Sequence, residues 1–457
     1  MTKYFKLYIL FLFFSITGFS QISKVHYIPP LTNNKSLSGG SSIPLDQYMY
    51  LSTPSENNVT VTITPLNGDS PTTYNNLSNG NPIRYDIGTS WNGTNYTPSQ
   101  LFVDHETTGG NTALNAGFVV EADCPIYVSI RYNAGAQAGA LVSKGDASLG
   151  TNFRAGMMTN GTVQSANAHF TANSFFSVMA TQDNTIVSID LPNALIGETT
   201  LSNYNYQGPF TKVLQKHESM VLSLDFENTN ANNQGARNSL NGALIRSVDE
   251  DGTEDGTKPL VVNVGSASGS FSATGSGHDH GIDQIVGLDR VGHEYIFVRG
   301  NGQNLNDGGQ LETPLIISTK DNTHLYINGS TTATATIDAG DIWLATSDLW
   351  SSQNQGATMY IRTQDKNYPV YAYQGIAGNG DSEANQGMFF VPPISEDAND
   401  DVNNIPDIDF IGNDPYQEQA GVSIVTNIDA SITISENGTA YDVSLLNPVT
   451  VLGRPEY

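Results

Sequence analysis

Phe175-Phe176-Ser177-Val178-Met179-Ala180-Thr181-Gln182-Asp183-Asn184-Thr185-Ile186-Val187-Ser188-Ile189-Asp190-Leu191 is the stretch whose reading decides the fold. Two runs rich in β-branched and aromatic residues flank a short polar turn, which reads as strand, tight turn, strand. The pattern recurs where Thr319-Lys320-Asp321-Asn322-Thr323 separates Pro314-Leu315-Ile316-Ile317-Ser318 from His324-Leu325-Tyr326-Ile327. Looser copies run from Tyr48 to Pro65 and from Gly421 to Gly438. Self-similarity at long spacing marks a repeated unit, and Thr53, Thr181, Thr319 and Thr426 place its starts on the order of a hundred residues apart.

A second hairpin belongs to each unit. Gly117-Phe118-Val119-Val120 leads to Pro125-Ile126-Tyr127-Val128, Ala243-Leu244-Ile245-Arg246 to Pro259-Leu260-Val261-Val262, and Met359-Tyr360-Ile361-Arg362 to Pro369-Val370-Tyr371-Ala372. Proline opens each closing strand, where a missing N–H costs least. A third shared piece matches residues 214–222 with 337–344. The expected fold is all-β, built of tandem antiparallel units of four to five strands. Such units need neighbours to cover their faces. The absence of Pro/Ser-rich linkers at the junctions favours a propeller-like arrangement, with tandem β-sandwiches as the alternative. The expected segments are a signal peptide over 1–20, a leader strand and loop over 21–45, units over 46–150, 151–288 and 289–394, and a linker with a partial unit over 395–457. The last of these ends inside a repeat, the pattern of a truncated piece of a longer protein.

Lys3 and Lys6, the apolar run from Leu7 to Ile16, and the small residues Gly18 and Ser20 form a secretory signal with cleavage expected near Ser20-Gln21. The run falls short of the roughly 20 apolar residues that span a bilayer, and no later stretch reads as transmembrane. The chain carries a formal charge of -26, which argues against nucleic acid as partner because phosphate contacts need Lys and Arg. Its single cysteine, Cys124, excludes an intramolecular disulfide and sits at a strand entry with no His or second Cys beside it.

For catalysis the chain offers no Gly-x-Ser-x-Gly elbow, no His-Glu-x-x-His and no phosphate loop. The best cation candidate is Asp249-Glu250-Asp251-Gly252-Thr253-Glu254-Asp255-Gly256, where Asp249, Asp251, Glu254 and Asp255 could wrap calcium. It lacks the full order of known calcium loops, and its plainer reading is a solvated hairpin loop. Glu396, Asp397, Asp400, Asp401, Asp407 and Asp409 form a more dispersed cluster. His278 and His280, with His293 downstream, have a spacing that could hold zinc or copper but no evident third ligand. Trp91, Tyr96, Tyr204 and Tyr206 lie in Asn/Gly-rich loops, as in sugar-binding surfaces, or serve to pin those loops down.

Thr-x-Asp-Asn-Thr between strands, the run Lys258-Pro259-Leu260-Val261-Val262, and Gly281-Ile282-Asp283-Gln284-Ile285-Val286-Gly287-Leu288 followed by Glu294-Tyr295-Ile296-Phe297-Val298 together resemble the N-terminal domain of the mucus IgG Fc-binding protein. Asn385-Gln386-Gly387-Met388-Phe389-Phe390-Val391-Pro392-Pro393 looks like the version carried by secreted and surface proteins of gliding Bacteroidetes. The resemblance runs from about Tyr27 to the end of the chain. It implies an exported, non-enzymatic module for contact or adhesion, in chains that commonly end in a type IX sorting domain. The expected partners are an extracellular glycoprotein, a polysaccharide or a neighbouring surface protein, with the protein secreted or at the outer cell surface. The alternatives are a carbohydrate-active propeller enzyme using a carboxylate pair and a calcium-stiffened spacer. Because the hairpin recurs in every unit, Asp183 and Asn184 read as turn-formers, which leaves function to the loops that differ between units.

Overall fold

The computed structural model describes residues 22–33, 43–135, 137–159, 174–225, 234–252, 255–269, 271, 279–300, 311–376, 387–395, 402, 404–415 and 421–457. The signal segment lies outside them. The first repeat holds β1 (Ser23–Ile28), β2 (Leu31–Thr32), β3 (Asp46–Ser52), β4 (Val59–Pro65), β5 (Thr72–Leu77), β6 (Ile83–Gly88), β7 (Phe102–Val103), β8 (Phe118–Ala134) and β9 (Gln137–Val142). The second holds β10 (Asn152–Arg154), β11 (Ser174–Ala180), β12 (Thr185–Asp190), β13 (Phe210–Leu214), β14 (Ser219–Ser223), β15 (Leu244–Val248), β16 (Leu260–Gly269) and β17 (Asp279–Ile285). The third holds β18 (Glu294–Val298), β19 (Pro314–Ser318), β20 (Thr323–Ile327), β21 (Ala335–Ile337), β22 (Ile342–Leu344), β23 (Thr358–Arg362), β24 (Val370–Ile376) and β25 (Gly387–Phe390).

The expected all-β, tandem antiparallel architecture is what the chain forms, with two four-stranded sheets in each of the second and third repeats and one seven-stranded sheet, joined through β8, in the first. In the second repeat the sheets run β10-β15-β12-β13 and β14-β11-β16-β17; in the third, β18-β23-β20-β21 and β22-β19-β24-β25. Numbering eight positions along a repeat, both obey one order: one-six-three-four in the first sheet and five-two-seven-eight in the second. The two sheets close on a shared core, with Phe176 and Val178 of position two meeting Val187 and Ile189 of position three. This is the sandwich form of the expectation.

The first repeat follows the same order with two differences from the sequence reading. Its hairpin at 117–130 is instead one strand, β8, whose first half pairs with β1 and β4 and whose second half pairs with β3 and β9. Positions six and seven are therefore fused. The connection that separates them elsewhere, 249–259 or 363–369, shrinks here to the Asp123-Cys124-Pro125 bend, too short for a turn. The leader strand β1 also belongs to the sandwich, at position one, because it pairs with β8 along Val25–Ile28.

The repeated threonine has a concrete task. Thr53, Thr181 and Thr319 each donate their hydroxyl to the carbonyl of the proline opening position seven: Pro125 at 2.9 Å, Pro259 at 2.7 Å and Pro369 at 2.5 Å. Asn184 and Asn322 adopt left-handed backbone with φ of 54° and 57°. The preceding aspartates reach sideways: Asp183 accepts from the Lys216 amide at 3.0 Å, and Asp321 from the Ala339 amide at 3.0 Å. The motif thus ties three turns together at one end of the sandwich. Replacing Thr181 with valine should cost about 1 kcal/mol, the net worth of one hydrogen bond. Asn184→Ala should cost about 1 kcal/mol for a Cβ-bearing residue forced left-handed, while Asn184→Gly stays within a few tenths. Urea denaturation of the three variants checks this.

Position three shows alternating burial in all repeats, as half-exposed strands do, but β11 and β19 are buried along their whole length. The cause is repeat-to-repeat packing. Phe175, Val221 and Ile282 of the second repeat join the core of the first. Leu315, Ile317, Tyr371 and Tyr373 of the third join the core of the second. The corresponding face of the first repeat is covered by a later segment. The Arg131 guanidinium lies 4.2 Å from the Tyr50 ring centre and donates to the carbonyls of Pro406, Asp407 and Phe410, while the Gly412 amide donates to the Tyr50 hydroxyl at 2.7 Å.

Candidate functional site

The two ends of each sandwich differ. Antiparallel order puts the connections two-to-three, four-to-five and six-to-seven at one end. Taken together these are the shorter set, although 249–259 alone exceeds some connections of the other end: 181–184, 215–218 and 249–259 in the second repeat, and 319–322, 338–341 and 363–369 in the third. The connections one-to-two, three-to-four and five-to-six lie at the other end. They span 29–45, 66–71 and 89–117 in the first repeat, 155–173, 191–209 and 224–243 in the second, and 299–313, 328–334 and 345–357 in the third. At the first end the two-to-three turns share their hydrogen bonds between repeats, while the connections of the other end differ in length and composition, and connections free to differ are where a sandwich can place recognition.

The long connections are internally fixed where they are described. Tyr96 donates its hydroxyl to the Val103 carbonyl at 3.0 Å, and burial pushes its pKa far up. The Tyr206 hydroxyl accepts from the Leu191 amide at 3.0 Å, and Tyr204 packs on Phe210 with ring centres 4.7 Å apart. Trp91 bridges back to Tyr96. Of the two readings of these aromatics, pinning is the task those of 191–209 perform. In the third repeat Arg299 and Glu312, both buried, form a 3.3 Å ion pair across the base of connection 299–313.

The acidic insertion sits at the short end, between β15 and β16. Asp255 is engaged there: one carboxylate oxygen lies 3.3 Å from the Arg246 guanidinium and the other accepts from the Asn152 amide at 2.7 Å. Asp249 and Asp251 stand on the turn that precedes it, and Glu254 lies outside the described residues. Among the described residues no group of three or more His, Cys, Asp or Glu is arranged to hold a metal ion. In the second acidic cluster Glu396, Asp397, Asp400 and Asp401 lie outside the described residues. Asp407 belongs to the cover over the first repeat, 3.8 Å from Arg84. His278 is likewise outside. His280 is buried, its Nδ1 3.0 Å from the Tyr132 hydroxyl, so it faces a protein seam. Cys124 is half-buried in the β8 bend.

That seam is the polar feature the sequence reading missed. The eighth strands β9, β17 and β25 meet, with β17 between the other two. Asp283 of β17 joins all three repeats: it takes the Lys144 ammonium at 3.0 Å and the Val142 amide at 3.3 Å from the first, and the Phe390 amide at 2.9 Å from the third. Beside it, the Gln284 side-chain carbonyl accepts from the Lys144 amide at 2.8 Å, and its amide group donates to the Tyr27 carbonyl at 2.9 Å and to Asn263 at 3.1 Å. His26 completes the network: Nε2 donates to the Ile126 carbonyl at 2.9 Å, and Nδ1 faces the Ser143 hydroxyl at 3.0 Å. Burial pushes the His26 pKa down to about 4 and that of His280 down to about 3. The available signal was the adjacent polar pair Asp283-Gln284 inside the apolar run Gly281–Leu288. Polar groups at such a position are tolerated only when every one is paired.

The hydroxyl–imidazole pair of this network, Ser143 with His26, is buried away from solvent. The geometry offers three packed repeats, each with a set of longer connections at one end. No helix among the described residues is long and apolar enough to cross a membrane. A family model described as IgGFc binding protein matches residues 138–454. Neither the curated proteins nor the solved structures compared with the chain include a match.

Proposed function

The chain belongs to the IgGFc binding protein family, and we propose that it is an exported binding module, acting in the secreted or cell-surface space without catalysis. Its partner in this reading is an extracellular glycoprotein or a protein on a neighbouring surface, engaged by the long connections at one end of the sandwiches. The observation that carries the reading is the contrast between the two ends: hydrogen bonds from Thr181 and Thr319 shared at the end that holds the tight turns, and at the other end a set of connections that is longer in total, of which 191–209 and 328–334 match in position but not in length. An acidic chain of net charge -26 would meet a basic or uncharged surface with least repulsion. Arrays of mucins, immunoglobulin Fc, glycans and polysaccharides probed with residues 21–457 test it. Saturable binding to a glycoprotein or protein spot supports the proposal; binding to none of them, or turnover of a polysaccharide, removes it.

Calcium enters the proposal only at the turn 249–255. A cation held by the folded state alone raises its stability. Saturating calcium should then raise the melting midpoint over that in chelator, and an unchanged midpoint takes the turn out of consideration as a stabilising site.

A further inference from the structure

β3 alternates its side chains, so Met49 and Leu51 enter the core of the first repeat while Tyr48 and Tyr50 face outward. Register then places a basic residue opposite each ring: Arg131 of β8 opposite Tyr48, and Arg84 of β6 opposite Tyr50. Each guanidinium reaches to the diagonal ring, Arg131 over Tyr50 at 4.2 Å and Arg84 over Tyr48 at 5.4 Å. The result is a basic, aromatic patch on a chain whose formal charge is -26.

Residues 404–415 lie on this patch, held mainly by their backbone. Five of their carbonyls accept from side chains of the first repeat: Asn404 from Ser52, Pro406, Asp407 and Phe410 from Arg131, and Gly412 from Arg84. Side chains of the segment add less. The Arg84 guanidinium also donates to the Asn413 side-chain oxygen at 2.9 Å and lies 3.8 Å from the Asp407 carboxylate. Gly412 passes so close to Tyr48 that a Cβ there would meet the ring at 2.1 Å.

Two observations set this contact apart from the packing of one repeat on another. Phe175, Val221, Ile317 and Tyr373 each enter a neighbouring core, whereas among the described residues no apolar side chain of 404–415 belongs to the core of a repeat. Ile405 and Phe410 stand 47% and 40% exposed. The segment's two short strands, β26 (Phe410–Ile411) and β27 (Asp414–Pro415), pair with each other, and among the described residues no ladder joins them to β3, β6 or β8. The segment also brings an unfavourable charge: burial, and then the Asp414 and Asp86 carboxylates, push the Asp46 pKa up. An occupant bound by carbonyls and partly opposed by its own charge is open to exchange for another of the same chemistry.

We propose that the face formed by Tyr48, Tyr50, Arg84 and Arg131 is a peptide-binding surface, that 404–415 occupies it in cis, and that an acidic loop of a partner protein displaces it. The partner loop presents carbonyls to Arg131, a carboxylate to Arg84 and a glycine against Tyr48. Guanidinium donors suit main-chain carbonyls whatever side chains the loop carries, and the positive patch draws a negative segment. The surface is a sheet face of the first repeat, separate from the connections on which the proposed function rests, so either reading fails alone.

A fluorescent peptide spanning 404–415, titrated into residues 21–457, tests this. Gly412→Val opens the face without altering it, and a second chain carries Gly and Ser in place of 404–415. Both should bind the peptide about tenfold or more tighter than the parent, the gain expected when the parent leaves the face open in a tenth of its molecules or fewer. Adding Arg131→Met to the Gly/Ser chain should remove the binding. Absence of binding to both opened chains, binding that survives Arg131→Met, or equal binding of a scrambled peptide overturns the proposal. So does loss of the cooperative melting transition in both opened chains, which would make 404–415 a structural part of the first repeat. Light scattering adds one more contrary result: a parent of twice the single-chain mass that Arg131→Met returns to single mass would make the occupant the same segment of a second copy.

Discussion

Asp283→Ala is expected to cost the folded state about 3–5 kcal/mol, the loss that follows when one partner of a buried ion pair is removed and the other stays buried. The side chains of Lys144 and Asp283 are 6% and 3% exposed. The substitution strands a buried ammonium and also leaves the Val142 and Phe390 amides, one from each flanking repeat, without their acceptor. Because these contacts join the repeats, the loss should appear as broken cooperativity: a single unfolding transition splits into at least two. Lys144→Met combined with Asp283→Leu should recover much of the melting temperature, since apolar replacements remove the stranded charge. Calorimetry on the three proteins reads both effects. A one-transition Asp283→Ala protein with an unchanged midpoint would show that the seam is not what couples the repeats.

Acid should destabilise the protein well above the range where carboxylates protonate. His26 and His280 are held neutral by burial, with pKa values pushed down to about 4 and about 3 from an ordinary value near 6.5. Below pH 6.5 the unfolded chain takes up protons at both residues and the folded chain does not. Stability is therefore full above about pH 6.5 and falls as pH falls toward the folded values, by about 1.4 kcal/mol per pH unit for each histidine. Between pH 7.5 and 4.5 the two together should remove roughly 5 kcal/mol. Protonation also has a local consequence at His26. The Ser143 hydroxyl has one proton for two acceptors, the His26 Nδ1 at 3.0 Å and the Gln284 carbonyl oxygen at 3.1 Å. A charged imidazole would donate to Ser143 and turn that proton toward Gln284, which softens the penalty there relative to His280. Guanidinium unfolding at several pH values should show the full slope in the parent, about half of it in His280→Gln, and a smaller reduction in His26→Gln. Equal slopes in all three would mean the acid response has another origin.

Much of the fold can be read in the residues themselves. Thr181, Asn184 and Pro259 recur because one turn geometry and one hydrogen bond recur, and residues fixed by local chemistry leave a repeated mark. The pairing of two sheets in each repeat is less legible, since a strand's period-2 pattern says which face is buried and not what covers it. The unbroken burial of β11 and β19 is the exception: apolar residues on both faces announce a second neighbour, and that neighbour is the preceding repeat. The fusion in β8 was hidden because Cys124-Pro125 reads as a turn and acts as a bend between sheets. The seam was harder still. Beyond their own repeat, Asp283 and Gln284 meet partners 107 to 257 residues away in the chain, and nothing near them in sequence names those partners. Asp249 and Asp251 illustrate the reverse case, where local composition suggests a ligand set but Asp255, their neighbour, is already tied to Arg246 and Asn152.

In the proposed function, recognition belongs to the end that carries connections such as 191–209 and scaffolding to the end that carries the tight turns. Two shortened variants separate the alternatives: connection 191–209 reduced to the length of 328–334, and turn 249–259 reduced to the length of 363–369. Each deletion borrows a length that the third repeat already uses with the same strand order, so both should fold. Measured on the glycoprotein and protein arrays, the first variant is predicted to lose binding while the second keeps it. Binding that survives the loss of 191–209 and disappears with 249–259 would place recognition at the opposite end of the sandwich.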